Sequence, residues 1–188
     1  EQYSVQRSDA RSFANLAGHA DFRPSSLAGA IVPPLAQSGA AASLFQFLAE
    51  GEVYAAPLLL RHAAALGMSG DLVHYAVTPG GQGYPAYWAH LAQFSEHAAG
   101  AAACAINFPA WGRMCGRVSA ALASGLYSNV SSDELGFLDF FAEPIEGLDQ
   151  MAIGVLDEKP ASYKEVATAV RLLQGYELMF WDAVYAAQ

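Results

Sequence analysis

Hydrophobic residues recur along the chain with the period of an α-helix, and the pattern is clearest near the end of the sequence. Positions separated by 4, 3, 4, 3 and 4 residues are Val166, Val170, Leu173, Glu177, Phe180 and Val184. This spacing places all six on one face of a helix. Five of them are apolar, whereas Glu177 is an acid. A carboxylate buried among apolar groups must be paired, hydrogen-bonded or protonated, so Glu177 is the first candidate for chemistry.

Similar patterns predict helices along most of the chain, and good strand signals are nearly absent. The predicted helices cover 4–17, 25–38, 42–50, 54–66, 85–99, 101–124, 132–142, 144–157 and 162–187. The sequence therefore predicts an all-α fold, a bundle of helices packed around a central pocket. We expect one domain spanning residues 1–188, because the chain is long enough to bury a sizeable core.

Capping residues and helix breakers mark the ends of these helices. The sequences "SSDE" at 131–134 and "SYKE" at 162–165 are capping boxes, in which a Ser begins the helix and a Glu reaches back to it. Helix ends are predicted at Gly18, Gly67 and Gly125. The segment "TPGGQGYP" at 78–85 is predicted to be an irregular loop before a helix that begins at Pro85. Helices are predicted to start, kink or end at Pro33, Pro34, Pro57, Pro109 and Pro144.

Composition and charge exclude several classes of partner. The chain is 54% hydrophobic and 14% charged, and its longest apolar runs are shorter than the ~18–20 residues of a membrane-spanning helix, so no membrane partner is expected. The net charge is −9 and no Lys/Arg cluster occurs, which argues against nucleic acid. Cys104 and Cys115 do not form a disulfide framework, so a cytoplasmic location is expected. The chain begins "EQYSVQ", without Met and without a signal peptide, and an upstream segment is expected to be missing.

Metal and phosphate sites are not predicted. No two of the five histidines lie three or four residues apart, and no Glu-x-x-His sequence occurs. Scattered surface or core histidines are the favoured interpretation. The "GGQG" at 80–83 lacks the following Lys-Ser/Thr of a phosphate-binding loop. We therefore expect neither a metal ion nor an organic cofactor.

The segment "CAINFPAWGRMC" at 104–115 places Cys104, Phe108, Trp111 and Cys115 on a common helix face. Pro109 would open a kink there, and kinks often border pockets. The alternative is that the cysteines are small buried hydrophobes and the aromatic rings pack in the core. No basic residue is visibly placed to activate either thiol.

Glu177 has two interpretations that the sequence leaves open. In the structural interpretation it is hydrogen-bonded to a neighbouring Tyr, Trp or Arg171 and contributes to the specificity of packing. In the functional interpretation apolar surroundings raise the pKa of its carboxyl, which gives and takes a proton near neutral pH. The flanking Tyr176, Phe180 and Trp181 are able to stack on a flat heteroaromatic ring.

The closing sequence "YELMFWDAVY", residues 176–185, resembles the last helix of the TenA/THI-4 proteins, also called thiaminase II. Other segments are similar to landmarks of that family in the expected order. They are "YSVQ" at 3–6, "LLLRHAAALGMS" at 58–69, "YPAYWAHL" at 84–91 and "INFPAWGRMCGR" at 106–117.

This resemblance implies a heme-oxygenase-like helical fold with a pocket for the aminopyrimidine of thiamin. Glu177 matches the acid that works on the pyrimidine, Tyr87 a pocket tyrosine and Phe180 a pocket wall. Three positions depart from the family. The family's cysteine falls on Phe108 or Pro109, its early Asp is replaced by Arg7 with Asp9 close by, and a pocket tyrosine is replaced by Phe140 or Phe141.

The leading hypothesis is a small-molecule hydrolase of the thiamin-pyrimidine kind, with Glu177 as proton shuttle. The ring of a small aromatic substrate, such as a pyrimidine, is expected to contact Tyr87, Phe108, Trp111, Phe141, Tyr176 and Phe180. A module that binds an aromatic ligand without reacting and a redox enzyme of the same fold are the alternatives. TenA relatives commonly assemble as tetramers, so a homo-oligomer is expected.

Overall fold

The computed structural model describes residues 1–17, 39–68, 72, 75–125 and 130–186. Within these residues the chain forms seven α-helices and no strand. The helices are α1 (Gln2–Leu16), α2 (Ala40–Ala65), α3 (Pro79–Phe94), α4 (His97–Ala123), α5 (Gly136–Ala142), α6 (Leu148–Glu158) and α7 (Tyr163–Ala186), and a 3-10 turn (Ser132–Glu134) precedes α5. The predicted all-α fold is confirmed.

The central part of the bundle is formed by the long helices. Helix α7 packs against α3 and α4, α1 packs against α2 and α3, and α4 also contacts α5 and α6. The largest fully buried side chains include Phe13, Phe45, Trp88 and Leu173, one from each of four helices. Complete burial of such a side chain stabilises the fold by ~1.5–3 kcal/mol, so these contacts hold the helices together.

Helix α2 is continuous where two helices, 42–50 and 54–66, were predicted. It runs from Ala40 to Ala65 with Gly51 and Pro57 inside it. A proline within a helix removes one backbone hydrogen bond. Burial of Leu44 and Leu48 before these breakers and of Leu59 after them offsets that loss, so tertiary packing overrides the local signals.

Helix α3 begins at Pro79, which corrects the prediction of an irregular loop at 78–85. Thr78 caps the helix, because its Oγ1 accepts a hydrogen bond from the Gly81 backbone N–H at 3.1 Å. The glycines permit close packing of this first turn on α7. A Cβ at Gly80 would lie 3.0 Å from Ala183 Cβ, and one at Gly83 would lie 3.0 Å from the Tyr176 ring. Glycine here serves helix–helix contact and not loop flexibility.

The break between α3 and α4 lies at Ser95 and Glu96, not before residue 101 as predicted. Both residues have extended backbone, and α4 begins at His97. Gly100 is an interior residue of α4, where a Cβ would lie 3.3 Å from the Phe45 ring. Its small size allows close packing against α2. Pro109 also lies inside α4.

Several predicted helix ends are confirmed. Gly67 and Gly125 follow α2 and α4 with φ of 78° and 72°, the left-handed conformation that glycine favours. Ser162 and Glu165 form their reciprocal hydrogen bonds at the start of α7. Ser131 and Glu134 do the same, although the predicted helix 132–142 is divided into the 3-10 turn and α5. The predicted helix 25–38, Gly18, Pro33 and Pro34 lie outside the described residues.

Helix α6 begins at Leu148 and not at residue 144 as predicted. Gly147, the residue before it, has a φ of 74°. This conformation is incompatible with a right-handed helix, so α6 cannot extend back towards Pro144. In the part of the chain that the structure describes, none of the helices combines the length and apolar character needed to cross a bilayer.

Candidate functional site

Glu177 is buried where α7 packs against α4. Its side chain is only 5% exposed, and both carboxylate oxygens accept hydrogen bonds. Asn107 Nδ2 donates to Oε2 at 2.6 Å, and Trp181 Nε1, one turn further along α7, donates to Oε1 at 3.1 Å. The acid in the apolar stripe is therefore inside the bundle and satisfied by two neutral donors.

Asn107 connects three helices through its amide group. Besides Glu177, its Nδ2 donates to Gln174 Oε1 at 2.7 Å, and its Oδ1 accepts from the Tyr84 hydroxyl at 2.6 Å. These five residues, Tyr84, Asn107, Gln174, Glu177 and Trp181, form what we call the Asn107 network. Because Tyr84 lies on α3, Asn107 on α4 and the others on α7, the network fixes the orientation of the carboxyl from both neighbouring helices.

Burial raises the pKa of the Glu177 carboxyl above its ordinary value. The hydrogen bonds from Trp181 and Asn107 and the positive charge of Arg113 act in the opposite direction, but burial is the larger effect. Burial also raises the pKa of Tyr84 well above its ordinary value, so its hydroxyl remains a donor to Asn107. The network is thus arranged around an acid that holds its proton more tightly than an exposed one.

Aromatic rings surround the network. Trp111 stacks on Tyr84 with ring centroids 5.6 Å apart and planes 5° from parallel. It also contacts Phe180 and Trp181, at centroid distances of 5.4 and 4.9 Å. The structure therefore brings together Trp111, Phe180 and Glu177 from the predicted site.

An apolar pocket of about 300 Å³ lies next to this cluster. Most of its lining side chains are apolar, and Phe180 and Trp181 form part of its wall. The lining residues are Glu1, Gln2, Tyr3, Ser4, Leu59, His62, Ala63, Leu66, Met68, Leu72, Tyr75, Cys115, Phe137, Leu138, Phe180, Trp181 and Val184. Glu177 is not a lining residue. It is separated from the pocket by one hydrogen bond, through Trp181.

The other predicted ring contacts lie elsewhere in the bundle. Tyr87 and Tyr176 pack on each other at a centroid distance of 5.2 Å. Phe108 packs on Phe13 in the core, and Phe141 packs edge-on to Phe137 and Phe140. None of Tyr87, Phe108, Phe141 and Tyr176 is among the lining residues of the apolar pocket. Of the six predicted ring contacts, only Phe180 lines it.

Gln6, Asp9 and Glu52 form a second buried cluster with two acids, which joins α1 and α2. The sequence analysis did not predict this cluster. Gln6 Nε2 donates to the carboxylate and, at 2.6 Å, to the backbone carbonyl of Glu52. Asp9 is 4% exposed, and its Oδ1 has no hydrogen-bond partner among the described residues. Burial raises the pKa of Glu52 to about 8. Burial and the charge of Glu52 raise the pKa of Asp9 well above its ordinary value.

Both cysteines are free and buried. Cys115 lines the apolar pocket, and burial together with the negative charge of Glu177 raises the pKa of its thiol to about 12. Cys104 is fully buried, and burial and the charge of Asp9 raise the pKa of its thiol. These surroundings favour the neutral thiol at both positions, which is the opposite of an activated nucleophile.

Two negative findings bear on the kind of site. The described residues hold no cluster of three or more His, Cys, Asp or Glu side chains that could hold a metal ion. Comparisons with models of protein families, with curated proteins and with solved structures give no match. The pocket and the Asn107 network are therefore the features from which a function can be inferred.

Proposed function

We propose that this protein binds a small, flat aromatic molecule in the apolar pocket and hydrolyses it, with Glu177 as proton shuttle. The observation that carries the proposal is the buried carboxyl of Glu177, which is hydrogen-bonded to the pocket residue Trp181. The similarity of residues 176–185 to the closing helix of TenA proteins supports the same chemistry. A thiamin-type pyrimidine is the substrate class that this similarity suggests.

The pocket suits an aromatic guest in size and in composition. Its volume of about 300 Å³ is at the lower end of the range typical of small-molecule sites. Phe137, Phe180 and Trp181 offer ring faces and edges, which favour offset or edge-on contact with a flat ligand. A compact heteroaromatic molecule fits these surroundings better than a polar or extended one.

The proposed reaction is the displacement of an amine from the ring or its attached carbon by water. Glu177 accepts a proton from the attacking water as the new C–O bond forms. When the leaving group is an amino group, Glu177 returns that proton to its nitrogen as the C–N bond breaks, and ammonia leaves. When the leaving group is the thiazolium ring of thiamin, the ring takes the C–N electron pair and leaves as neutral thiazole, and Glu177 passes the proton to solvent. Proton transfer requires approach to ~2.6–3.2 Å. Since Glu177 does not line the pocket, the mechanism requires Trp181 to move aside when the ligand is bound.

Binding without reaction is the second candidate function. It is favoured by the pairing of both Glu177 oxygens with protein donors and by the absence of Glu177 from the pocket lining. The position of the family's cysteine, Phe108 or Pro109, also carries no nucleophile. In this case the Asn107 network only stiffens the pocket wall, and the protein senses or carries the aromatic ligand.

The Glu177→Gln variant separates the two functions, because it keeps the side-chain shape and removes the titration. For the hydrolase, we expect ring binding to persist while kcat for ammonia or thiazole release from aminopyrimidines and thiamin falls by about 10²–10⁴-fold. Asp182→Asn, an exposed change on the same helix, is the matched control and should leave both unchanged. Unchanged turnover in Glu177→Gln would remove Glu177 from the mechanism. Wild-type binding with no turnover would establish the second candidate.

Three broader features are also proposed. The heme-oxygenase-like arrangement of the helices and a homo-oligomeric state are supported by the TenA resemblance. Exposed apolar residues on α7, including Leu178, Met179 and Tyr185, are compatible with a contact between subunits. A cytoplasmic location is supported by the two free thiols, which persist best in a reducing compartment.

A further inference from the structure

Among the described residues that line the apolar pocket, His62 is the one histidine. It lies on α2 and is 8% exposed. Its Nδ1 is 2.8 Å from the backbone carbonyl oxygen of Glu134, in the 3-10 turn before α5. A carbonyl oxygen only accepts hydrogen bonds, so Nδ1 carries a proton and donates it. This contact fixes the orientation of the ring in the pocket wall.

The second ring nitrogen of His62, Nε2, has no hydrogen-bond partner among the described residues. In the neutral imidazole with a proton on Nδ1, Nε2 is an acceptor. No described residue forms a hydrogen bond with Nε2 of His62, and it is not among the fully buried side-chain atoms that lack a partner. Among the described residues, the atom is thus without a partner on a side chain that lines the pocket. Its neighbours in the wall include Leu59, Ala63 and Leu138, which have no side-chain donor to offer.

We propose that Nε2 of His62 accepts a hydrogen bond from the bound ligand and selects aromatic molecules that carry an N–H or O–H donor. An amino-substituted or hydroxyl-substituted ring would place its donor on Nε2 and its faces against Phe137 and Phe180. The inference rests on the proposed binding of an aromatic molecule in this pocket, but not on hydrolysis. His62 is then a specificity-determining residue on the wall formed by α2.

A purely structural role predicts something different. If His62 serves only to tie α2 to the turn at Glu134, its loss lowers stability and does not alter the choice of ligand. If the ring is instead protonated, Nε2 donates, and an acceptor on the ligand is preferred. The three cases are separated by comparing ligands of the same shape that differ only in the donor.

The test uses 4-aminopyrimidine and 4-methylpyrimidine, which differ by an amino group in place of a methyl group. Calorimetric titration gives the affinity ratio of the two probes for wild-type protein, for His62→Phe and for His90→Phe. A neutral hydrogen bond is worth ~0.5–1.5 kcal/mol, so the amino-to-methyl ratio should fall by about two- to tenfold in His62→Phe. His90→Phe, an exposed histidine outside the pocket lining, should keep the wild-type ratio.

A second measurement needs no variant and covers the case in which His62→Phe does not fold. In wild-type protein, the ¹⁵N signal of His62 Nε2 should move when the amino probe binds and stay nearly unchanged with the methyl probe. An unaltered ratio in His62→Phe, or equal ¹⁵N responses to the two probes, would overturn the inference and leave ligand binding standing. If neither probe binds wild-type protein, both this inference and the proposed pocket function are rejected.

Discussion

Cys115 shows how the surroundings of a single residue decide its chemistry. It lies in the pocket wall, and the pKa of its thiol is raised to about 12. At pH 8 only about one thiol in 10⁴ is ionised at that pKa. We expect iodoacetamide to leave Cys115 unlabelled in the folded protein at pH 8 and to label it after unfolding in urea, as read by peptide mass spectrometry.

The comparison with Cys104 distinguishes slow chemistry from lack of access. Cys104 is fully buried and does not line the pocket, so it should stay unlabelled at any pH at which the protein remains folded. Cys115 should become reactive first as the pH is raised towards 11. Rapid labelling of Cys115 at pH 8 would show that its thiolate is stabilised by a group other than the wall residues named above.

At the scale of the helices, we expect Gly→Ala substitutions at two positions to change the free energy of unfolding in opposite directions. A Cβ at Gly112, within α4, would lie 2.6 Å from the backbone oxygen of Phe141, which cannot move without shifting α5. At Gly175, on the exposed side of α7, an added Cβ would have no neighbouring atom within 4 Å. Gly112→Ala should lower the free energy of unfolding by about 1–3 kcal/mol through overpacking. Gly175→Ala should raise it by up to about 1 kcal/mol through helix propensity.

Chemical denaturation of both glycine variants checks this pair. Equal effects of the two substitutions would mean that the close contact between α4 and α5 is not rigid. The comparison is informative because both positions are helical, so the propensity gain is similar and the difference reports the packing alone.

The same helical spacing that revealed Glu177 also holds for Glu52, which was not among the predicted site residues. Leu48, Glu52, Ala55 and Leu59 are separated by 4, 3 and 4 residues. The sequence analysis did not recognise this row of residues as one helix face, because it predicted a helix break between residues 50 and 54. Burial of both halves of α2 against other helices, which is a tertiary effect, decides that Gly51 and Pro57 do not end it. Local signals therefore predicted the helix content and several helix ends, such as those at Gly67 and Gly125, but placed false breaks within α2.

A neighbouring Trp was among the partners expected for Glu177, and Trp181 on the same helix is one of its donors. The partners on other helices had no signal in the sequence. Asn107 and Glu177 are 70 residues apart, and His62 and the Glu134 carbonyl are 72 apart. Such pairs depend on which helices pack together, and periodicity only states which face of each helix is buried. Trp111 and Phe180 lie in contact, and Glu177 lies beside them through Trp181. The pocket, in contrast, is also lined by residues of α1, α2 and α5, which the helix-face patterns did not connect with them.

At the scale of the whole molecule, the described residues include three buried acids whose pKa values are raised, namely Asp9, Glu52 and Glu177. An acid with a raised pKa in the folded state binds its proton more tightly there than in the unfolded chain. The folded protein therefore holds more protons than the unfolded one above the ordinary carboxyl range. The contribution of Glu52 to the free energy of unfolding is greatest below about pH 4.5, and it is lost as the pH rises to about 8. The exposed acids Glu134 and Glu165 have lowered pKa values, so they titrate below this window.

We therefore expect the titration of Glu52 to lower the free energy of unfolding between pH 5 and pH 8, by up to about 1.4 kcal/mol per pH unit. Glu52→Gln removes this titration and keeps a polar side chain next to Gln6. Its free energy of unfolding should decline less steeply with pH, and the variant should be more stable than wild type at pH 8. Glu50→Gln, an exposed change on the same helix, should follow the wild-type profile. Urea unfolding at pH 5, 6.5 and 8 gives the pH dependence of the free energy of unfolding for the wild type and the two variants.

Identical slopes for Glu52→Gln and wild type would mean that Glu52 is ionised inside the bundle. Its charge would then need a cationic partner, which the described residues around Gln6 and Asp9 do not supply.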